Sequence, residues 1–397
     1  MKKITTILFA LLMHTYATQA QTPSLIPYLA KSGKYGYCDK NLNLKIPAIY
    51  DNIEPFYEGM AKVYSNYKNN FIDTTGKILP LNVNYYGIDN FIDGMAMVED
   101  SKRGYGFIDK TGNEIISCKY KKAMPFSEGL AYVISDSFAG FIDKTGKEVI
   151  TLLQKYPTLL SEYPKTRVGD FSDDFAYIWN GNSSGYIDKT GKEIIAFVYC
   201  DVSDFKEGLA WVQKCNPIPN QKGYKVSHHF IDKTGKIVLT APEGGSLSLE
   251  FSNGLVSASN STQKYGFMDK TGKLVVEIKY DFAYDFSDDL SMVSSDGKYS
   301  YIDKNGKTII SLAQYNIEDN QDNISQFSEG FAEIIVGEKY GFINKIGIVV
   351  IQPKYLDADK FINGLSLVTL DKEFVNGVEA VRKYFYIDKT GKEYREL

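Results

Sequence analysis

The chain has 397 residues and a formal net charge of −4, and its composition is rich in aromatic residues and glycine, with 30 Tyr, 23 Phe and 33 Gly. Its acidic, scattered charge argues against nucleic acid or an anionic membrane surface as a partner. Aromatic residues with regularly spaced glycines favour strands and turns over helices. We therefore expect an all-β protein whose partners are neither nucleic acids nor membranes.

The first twenty residues have the features of an export leader. Lys2 and Lys3 form a basic start, an apolar run follows from Ile4, and small residues lead to a predicted cleavage after Ala20. The apolar run is too short to span a bilayer as a lasting helix. We predict that residues 1–20 are a signal peptide and that the protein is exported, to the periplasm or the medium, without membrane insertion.

From residue 21 to residue 397 the chain reads as one tandem array of about nine units. The octapeptide from Gly140 to Lys147 contains the most regular motif, Asp-Lys-Thr-Gly. Intact copies of that motif begin at Asp109, Asp143, Asp188, Asp232, Asp269 and Asp388, and degenerate copies begin at Asp39, Asp73, Asp303 and Asn344. Successive copies begin 34 to 45 residues apart, which is the spacing of a repeat architecture.

Each unit has three predicted strand segments. In the best-preserved unit these are Gly129–Val133, Gly140–Asp143 and Glu148–Ile150. Asp143 opens a hairpin turn by accepting backbone N–H groups ahead of it, and Gly146 takes the left-handed position that follows. A second motif with a leading phenylalanine precedes the first segment. Its copies begin at Phe56, Phe91, Phe126, Phe171, Phe205, Phe251, Phe286, Phe327 and Phe361.

Four stretches differ between copies, at residues 152–168, 213–229, 312–324 and 370–384. The first and third are long enough for a short helix. The fourth contains Asn376-Gly377, the signal of a two-residue hairpin, whereas the prolines of 216–219 predict an irregular loop. Inserts in repeat arrays gather on particular faces, and these faces commonly bind partners.

The residues Lys264–Lys273, followed by Lys279–Asp281 and Phe286–Leu290, resemble the bacterial WG repeat, also called KWG. The pattern covers residues 31–394. A tyrosine stands in the slot of the name-giving tryptophan in five copies, at Tyr35, Tyr105, Tyr265, Tyr299 and Tyr340. The resemblance implies a repetitive, β-rich and often exported protein, and it implies no shared enzymatic activity.

For the fold we expect an all-β tandem array of antiparallel β-hairpins, stacked as an open, solenoid-like array. The alternative is a closed β-propeller. Ten motif copies exceed the four to eight blades of ordinary propellers, and three strands per unit are fewer than the four of a propeller blade. These two counts favour the open array.

The search for chemistry yields no catalytic, cofactor-binding or metal-binding residue. The repeated Asp side chains fit turn positions, and the Lys beside each would repel a calcium ion. His228 and His229 are adjacent on a strand and therefore point to opposite faces. Cys38 fills a core slot, and pairing of Cys200 with Cys215 is left open. Cysteine spacing gives no zinc site.

We therefore expect an exported, non-catalytic scaffold that binds protein or peptide, and no enzyme. The alternative is a carbohydrate-binding module of the cell envelope, if the repeated aromatic slots form exposed ladders. Those slots are Phe107, Phe141, Tyr186, Phe230, Phe267, Tyr301, Phe342 and Tyr386. Ladders of this kind more often form the core that thin repeats share with their neighbours.

Overall fold

The fold is seen in a computed structural model. It describes residues 23–396 apart from 67, 82, 84, 161–165, 220–221, 316–324, 371–372, 376–377 and 381–382. The predicted signal peptide, residues 1–20, lies outside the described residues. In the described part of the chain, no helix has the length and apolarity needed to cross a membrane.

The chain forms ten small antiparallel sheets, which we call blades 1 to 10 in chain order, and one separate hairpin. Blade 1 contains β1 (Ile26–Leu29), β2 (Tyr35–Cys38) and β3 (Leu44–Tyr50), and blade 2 contains β4 (Asn52–Ile53), β5 (Met60–Ser65) and β6 (Lys68–Asp73). Blade 3 contains β7 (Gly87–Ile88), β8 (Met95–Asp100), β9 (Gly104–Asp109) and β10 (Glu114–Tyr120), and blade 4 contains β11 (Lys122–Ala123), β12 (Leu130–Ile134), β13 (Ala139–Asp143) and β14 (Glu148–Thr151). Blade 5 contains β15 (Arg167–Val168), β16 (Phe175–Trp179), β17 (Ser184–Asp188) and β18 (Glu193–Tyr199).

Blade 6 contains β19 (Asp201–Val202), β20 (Leu209–Pro217), β21 (Tyr224–Asp232) and β22 (Ile237–Thr240), and blade 7 contains β23 (Leu255–Ser259), β24 (Tyr265–Asp269) and β25 (Leu274–Tyr280). Blade 8 contains β26 (Phe282–Ala283), β27 (Leu290–Ser295), β28 (Lys298–Asp303) and β29 (Thr308–Ser311), and blade 9 contains β30 (Phe331–Val336), β31 (Lys339–Asn344) and β32 (Val349–Tyr355). Blade 10 contains β33 (Asp357–Ala358), β34 (Leu365–Thr369), β37 (Phe385–Asp388) and β38 (Glu393–Tyr394). The separate hairpin pairs β35 (Glu373–Val375) with β36 (Val378–Ala380).

A complete blade is a meander of four strands, which we call positions A to D. In blade 4 these are β11, β12, β13 and β14 in sheet order. Positions A and B are joined by a two-residue turn, in which Ser127 and Leu130 exchange both backbone hydrogen bonds. Glu128 and Gly129 both have positive φ, 51° and 85°, which is the conformation of a type I′ turn. Positions C and D are joined by the Asp-Lys-Thr-Gly turn.

The ten blades close into a propeller. Leu29 of β1 forms a parallel bridge with Arg395, and the Glu396 N–H donates to the Leu29 carbonyl at 2.9 Å. Tyr35 Oη donates to the Tyr384 carbonyl across the same junction at 2.8 Å. The antiparallel hairpin array and the propeller alternative are thus confirmed. The open, solenoid-like arrangement that the two counts favoured is wrong, because the ends of the array meet.

The strand at position A, present in seven blades of the described chain, was not predicted from the sequence because it is short. Position A is a two-residue strand in most blades, such as β11 or β19, followed by an irregular stretch before the motif phenylalanine. Two residues are too few to show a period of two. After an odd-numbered blade the chain enters this strand directly from position D, with one residue between β10 and β11.

Odd-numbered and even-numbered blades differ at position D. In the odd blades this strand has seven residues and a bulge, and it runs straight into the next blade; these strands are β3, β10, β18, β25 and β32. Opposite each bulge, position C has a glycine. A Cβ on Gly106 would lie 2.6 Å from the Ile116 carbonyl oxygen. The glycine that precedes the aromatic residue of position C is therefore needed where one strand crosses closely over another.

The variable stretches differ in part from the sequence expectation. The first and third, which are long enough for a short helix, contain single 3₁₀ turns, Pro157–Leu160 and Leu312–Tyr315. Val375 pairs with Val378, although residues 376–377 themselves lie outside the described residues. The irregular loop predicted at 216–219 is wrong in its first half, because β20 continues through Pro217, which pairs with Tyr224 at the end of the hairpin.

The core lies in the seams between blades. At nine seams an aromatic ring from position C packs against the motif phenylalanine of the following blade, with ring centroids 4.6 to 5.0 Å apart. All of these C-position rings are buried, for example Phe107 and Tyr186. The aromatic ladder is thus mainly core, as the repeat argument predicted. Tyr386, in blade 10, is the exception.

Candidate functional site

The meander places the connections on two faces. The A–B turns and the Asp-Lys-Thr-Gly turns lie at one end of the strands, the turn face. The B–C turns and the D–A connections lie at the other end, the loop face. All four variable stretches are B–C or D–A connections and therefore belong to the loop face. Strand direction alone thus separates the regular face from the variable one.

On the turn face, the motif aspartate is used by its own turn. Asp143 Oδ1 accepts hydrogen bonds from the Thr145 N–H at 2.9 Å, the Thr145 hydroxyl at 2.6 Å and the Lys147 N–H at 3.1 Å. The hydrogen bond from the Thr145 side chain lowers the pKa of Asp143. Gly146 has a φ of 81°. The predicted turn is confirmed, and its carboxylate has no acceptor capacity to spare at Oδ1.

The acidic residues of the A–B turns link one blade to the next. The Glu58 carboxylate accepts from the Asp93 and Gly94 N–H groups at 3.0 and 3.1 Å, and Asp93 Oδ2 in turn accepts from the Gly129 N–H at 3.1 Å. The motif lysines add ion pairs to the preceding turn. Lys144 Nζ lies 3.0 Å from Asp93 Oδ1, so this lysine is a partner of the turn network.

The side chains of His228 and His229 form hydrogen bonds within blade 6. His229 hydrogen-bonds the hydroxyls of Ser227 and Thr240, both at 2.9 Å, and His228 lies 3.1 Å from the Gln213 amide nitrogen. Burial lowers the pKa of both imidazoles. Among the residues that the structure describes, no three His, Cys, Asp or Glu side chains are placed to hold a metal ion.

The question of the cysteines is answered by the structure. Cys200 and Cys215 form a disulfide that ties the entry of blade 6 to the long arm of β20. Cys38 and Cys118 are free thiols, and both are buried in the core. The disulfide therefore braces the extended hairpin β20–β21 on the loop face.

A polar cavity of about 630 Å³ lies beside the first variable stretch. Lys155 pairs with Glu193 at 2.9 Å, and its ammonium lies 5.6 Å from the ring centres of both Tyr156 and Phe197. The Tyr156 hydroxyl is buried and has no hydrogen-bond partner within the described part of the chain. The cavity is thus a surface recess with cationic and aromatic walls.

An acidic residue recurs beside the motif phenylalanine in part of the ring, a feature that the sequence analysis did not single out. Acidic residues stand immediately before the motif phenylalanine in four blades, at Asp170, Asp204, Glu250 and Asp285. Burial raises the pKa of Asp170, with a further contribution from neighbouring Asp204. Burial also raises the pKa of Glu333, on β30, to about 7. The signal was present in the sequence as an acid immediately before the phenylalanine in these four blades.

A second cavity, of about 710 Å³, lies where blades 10, 1 and 2 meet. It is lined by Gly33, Tyr35, Asp51, Asn52, Ile53, Glu54, Leu367, Lys383, Tyr384 and Tyr386. None of these residues was a predicted site residue. Their common feature is that they come from the two ends of the described chain, which meet at the closing seam of the ring.

The fold defines a tandem-repeat β-propeller with one variable face. The family described as "WG containing repeat" matches residues 35–68, 105–136, 185–216, 265–299, 299–340 and 340–374, which together span more than half of the chain. The chain belongs to this family. Five of the six matches begin at position C of an odd-numbered blade, so the family repeat follows the two-blade alternation. No curated protein matches the chain.

The solved structures to which the chain is similar are distant in sequence. A computationally designed protein is 12% identical, with a TM-score of 0.37, covering 83% of this chain and 97% of that one. A eukaryotic initiation factor is 13% identical, with a TM-score of 0.46, covering 83% and 95%. The extracellular domain of a putative hybrid two-component system from B. thetaiotaomicron is 12% identical, with a TM-score of 0.30, covering 91% and 60%. These values carry no argument about function.

Proposed function

We propose that this protein is an exported, non-catalytic scaffold that binds protein or peptide partners through its loop face. The observation that carries the proposal is the placement of all four variable stretches on one face of a regular ring. Binding surfaces in repeat proteins are built in this way, with a constant framework and variable connections.

Two further features support export and binding. The predicted leader at residues 1–20 and the Cys200–Cys215 disulfide both fit an oxidising compartment outside the cytosol. The side chains with catalytic potential that the motifs repeat, the turn aspartates, are engaged in backbone hydrogen bonds. The protein then acts by presenting a surface and has no reaction to catalyse.

The carbohydrate alternative has less support. Its aromatic slots lie in the seams, and the most exposed tyrosines in the described residues, Tyr86 at 77% and Tyr224 at 64%, belong to different blades. A sugar-binding platform needs rings that lie side by side at the surface. A glycan array that is blank across cell-envelope polymers would remove this alternative.

The extended hairpin β20–β21 allows a sharp test. Joining Gln213 to His228 through Asp-Gly, with Cys200→Ser, would reproduce the short turn of blade 8 at Asp296-Gly297, because Gln213 and His228 are already paired. The wild type and this variant are then used to capture partners from envelope extract. We expect at least one partner to bind the wild type and to be lost from the variant.

The matched control is the double substitution Cys200→Ser and Cys215→Ser, which removes the disulfide and keeps the hairpin. It should retain the partner. A variant of the turn face, Lys304→Ala, should retain it as well. Identical capture by all four proteins, or no specific capture by the wild type, would contradict the proposed role of the loop face.

A further inference from the structure

The seam between blades 7 and 8 contains a polar cavity of about 230 Å³. Leu247 forms a bridge with Ala258, so the residues on either side of Leu247 lie at position A of blade 7. The cavity extends toward the loop face, where β23 ends. Four serines of blade 7 and one acid of blade 8 give the walls their polar character, and these are Ser246, Ser248, Ser257, Ser259 and Asp285.

The cavity exists because one side chain on β23 is small. The position B residues opposite the aromatic slot are Trp211, Ser257 and Met292 in blades 6, 7 and 8. Trp211 and Met292 pack in hydrophobic clusters that include the motif phenylalanine of the next blade. Ser257 is also buried, at 6% exposure, but its side chain ends at a hydroxyl. The space that an indole or a thioether fills at the neighbouring seams is therefore cavity at this one.

The Ser257 hydroxyl is a buried polar group without a partner. It makes no hydrogen bond with any residue that the structure describes, although its side chain lines the cavity. By contrast, the Ser246 and Ser259 hydroxyls bond each other at 2.9 Å, and the Ser248 hydroxyl donates to Asp285 Oδ1 at 2.8 Å. Buried polar groups are normally hydrogen-bonded. The Ser257 hydroxyl is thus available to a ligand that enters the cavity.

The charge of the cavity comes from Asp285. Burial raises the pKa of this residue, because its charged form loses hydration. Among the described residues that line the cavity there is no lysine or arginine. On flanking turns, Lys206 pairs with Glu250. Lys264 pairs with Asp281. A cation that enters the cavity would therefore meet a carboxylate that has no ion-pair partner in the described part of the chain.

The undescribed residues that are closest in sequence to the cavity offer no such cation. Residues 316–324 precede Gln326, which lines the cavity, and they contain no lysine or arginine. The sequence of this stretch is Asn-Ile-Glu-Asp-Asn-Gln-Asp-Asn-Ile. It would add negative charge, so a cation has to come from another segment or another molecule.

The size of the cavity and its acceptors favour a lysine side chain. The cavity volume of about 230 Å³ is smaller than the roughly 300 Å³ at which pockets for small-molecule ligands begin. Asp285 and Ser257 lie on the two walls, so their oxygens are separate acceptors. An ammonium group donates in three directions and suits such acceptors better than the planar fork of arginine, which matches a pair of parallel acceptors.

We propose that this cavity binds the ammonium group of a lysine side chain that a partner protein inserts from the loop face. The ammonium donates to the Asp285 carboxylate and to the Ser257 hydroxyl oxygen. Its methylene chain lies beside the rings of Tyr265 and Tyr284, which also line the cavity. The inference rests on the proposed scaffold function and names the chemistry by which the partner is recognised.

A capped tripeptide provides the probe. Acetyl-Gly-Lys-Gly-amide is titrated into the full chain, and binding is followed by saturation-transfer NMR. The matched control is the same peptide with its lysine side chain acetylated, which removes the charge. We expect saturable millimolar binding of the first peptide and binding at least about tenfold weaker for the second, because a charged hydrogen bond to the carboxylate is lost. The arginine peptide should also bind more weakly than the lysine peptide.

The protein variants localise the site. Asp285→Asn keeps the shape and removes the charge, and it should weaken binding about tenfold or more. Ser257→Ala should weaken it about threefold, because one acceptor is lost. Ser257→Met fills the cavity as Met292 fills the next seam, and it should abolish binding while the fold is retained, as checked by circular dichroism. Glu250→Gln is the matched control, since Glu250 also precedes a motif phenylalanine but does not line the cavity. It should bind as the wild type does.

Five results would overturn the proposal. The first three are no binding of the lysine peptide, equal binding of the lysine and acetyl-lysine peptides, and equal effects of the Asp285 and Glu250 substitutions. Tighter binding of free butylammonium than of the lysine peptide would assign the cavity to a small amine. Binding to the chain from Gln21 onwards but not to the full chain would identify the leader as the occupant. The capture experiment with the β20–β21 hairpin is independent, so failure here leaves the proposed function standing.

Discussion

The glycine that precedes the aromatic slot at position C, Gly106 in blade 3, provides the most discriminating test of the blade geometry. In blade 3, a Cβ on Gly106 would lie 2.6 Å from the Ile116 carbonyl oxygen and 2.7 Å from the Cys118 nitrogen. Both contacts are with backbone atoms of the crossing strand, which cannot turn aside as a side chain can. Gly106→Ala therefore has to displace β10 where it leaves blade 3.

The expected cost follows from overpacking. Inserting a methyl group into a closely packed site costs about 1 to 3 kcal/mol, so we expect Gly106→Ala to lower the free energy of unfolding by about 2 kcal/mol. In an ordinary strand the same substitution would raise it by about 0.4 to 1 kcal/mol, because alanine restricts the unfolded chain. The free energy of unfolding should therefore fall if a strand crosses closely over Gly106 and rise if Gly106 lies in an ordinary strand.

The assay is urea unfolding followed by tryptophan fluorescence and circular dichroism. Gly87→Ala is the matched control, since its Cβ would meet only the Glu99 side chain, at 3.5 Å, and its φ is not positive. It should be neutral or slightly stabilising. A Gly106→Ala protein that is as stable as the Gly87→Ala protein would refute the explanation that a crossing strand requires glycine at position 106.

Three other predictions concern stability. Gly146→Val should lower the free energy of unfolding by about 1 to 2 kcal/mol, because the backbone at this position is left-handed. Lys144→Ala should lower it by at most about 1 kcal/mol, because the ion pair with Asp93 is half exposed. Thermal melts that show the reverse order would contradict the turn assignment. Replacing Cys200 and Cys215 by Ser should lower stability by about 3 kcal/mol, as measured by urea unfolding of oxidised wild type against the variant; equal midpoints would contradict a structural disulfide. Burial raises the pKa of Glu333 to about 7, so its contribution is present below about pH 4.5 and is lost as pH rises through 7; Glu333→Gln should flatten this decline between pH 5 and 8, and an unchanged profile would contradict it.

The sequence was sufficient for the repeated parts of the fold. The turn at Asp143 and the strands on either side follow from local chemistry, because a side-chain acceptor and a left-handed glycine specify that hairpin almost alone. The burial of the aromatic slots also followed, since thin repeats must share a core. These features depend on residues close to one another in the chain.

Ring closure could not be predicted in the same way. It depends on the angle between successive blades and on contacts such as Leu29 with Arg395, which lie at opposite ends of the chain. Position A was hidden because strands such as Lys122–Ala123 are too short to show alternation. The cavity beside Tyr386 could not be predicted either, because its lining residues come from opposite ends of the chain. The residues that line this cavity form no motif that the sequence analysis could associate with a site.

The closed ring is tested most directly by a covalent link between its ends. Leu29→Cys together with Arg395→Cys places two thiols on residues that form a bridge across the closing seam. Under mild oxidation we expect nearly complete disulfide formation, seen as faster migration on non-reducing gels, whereas either single variant should not shift. An open array would hold these residues at opposite ends of the molecule, and a double variant that stays reduced in a folded protein would contradict the propeller.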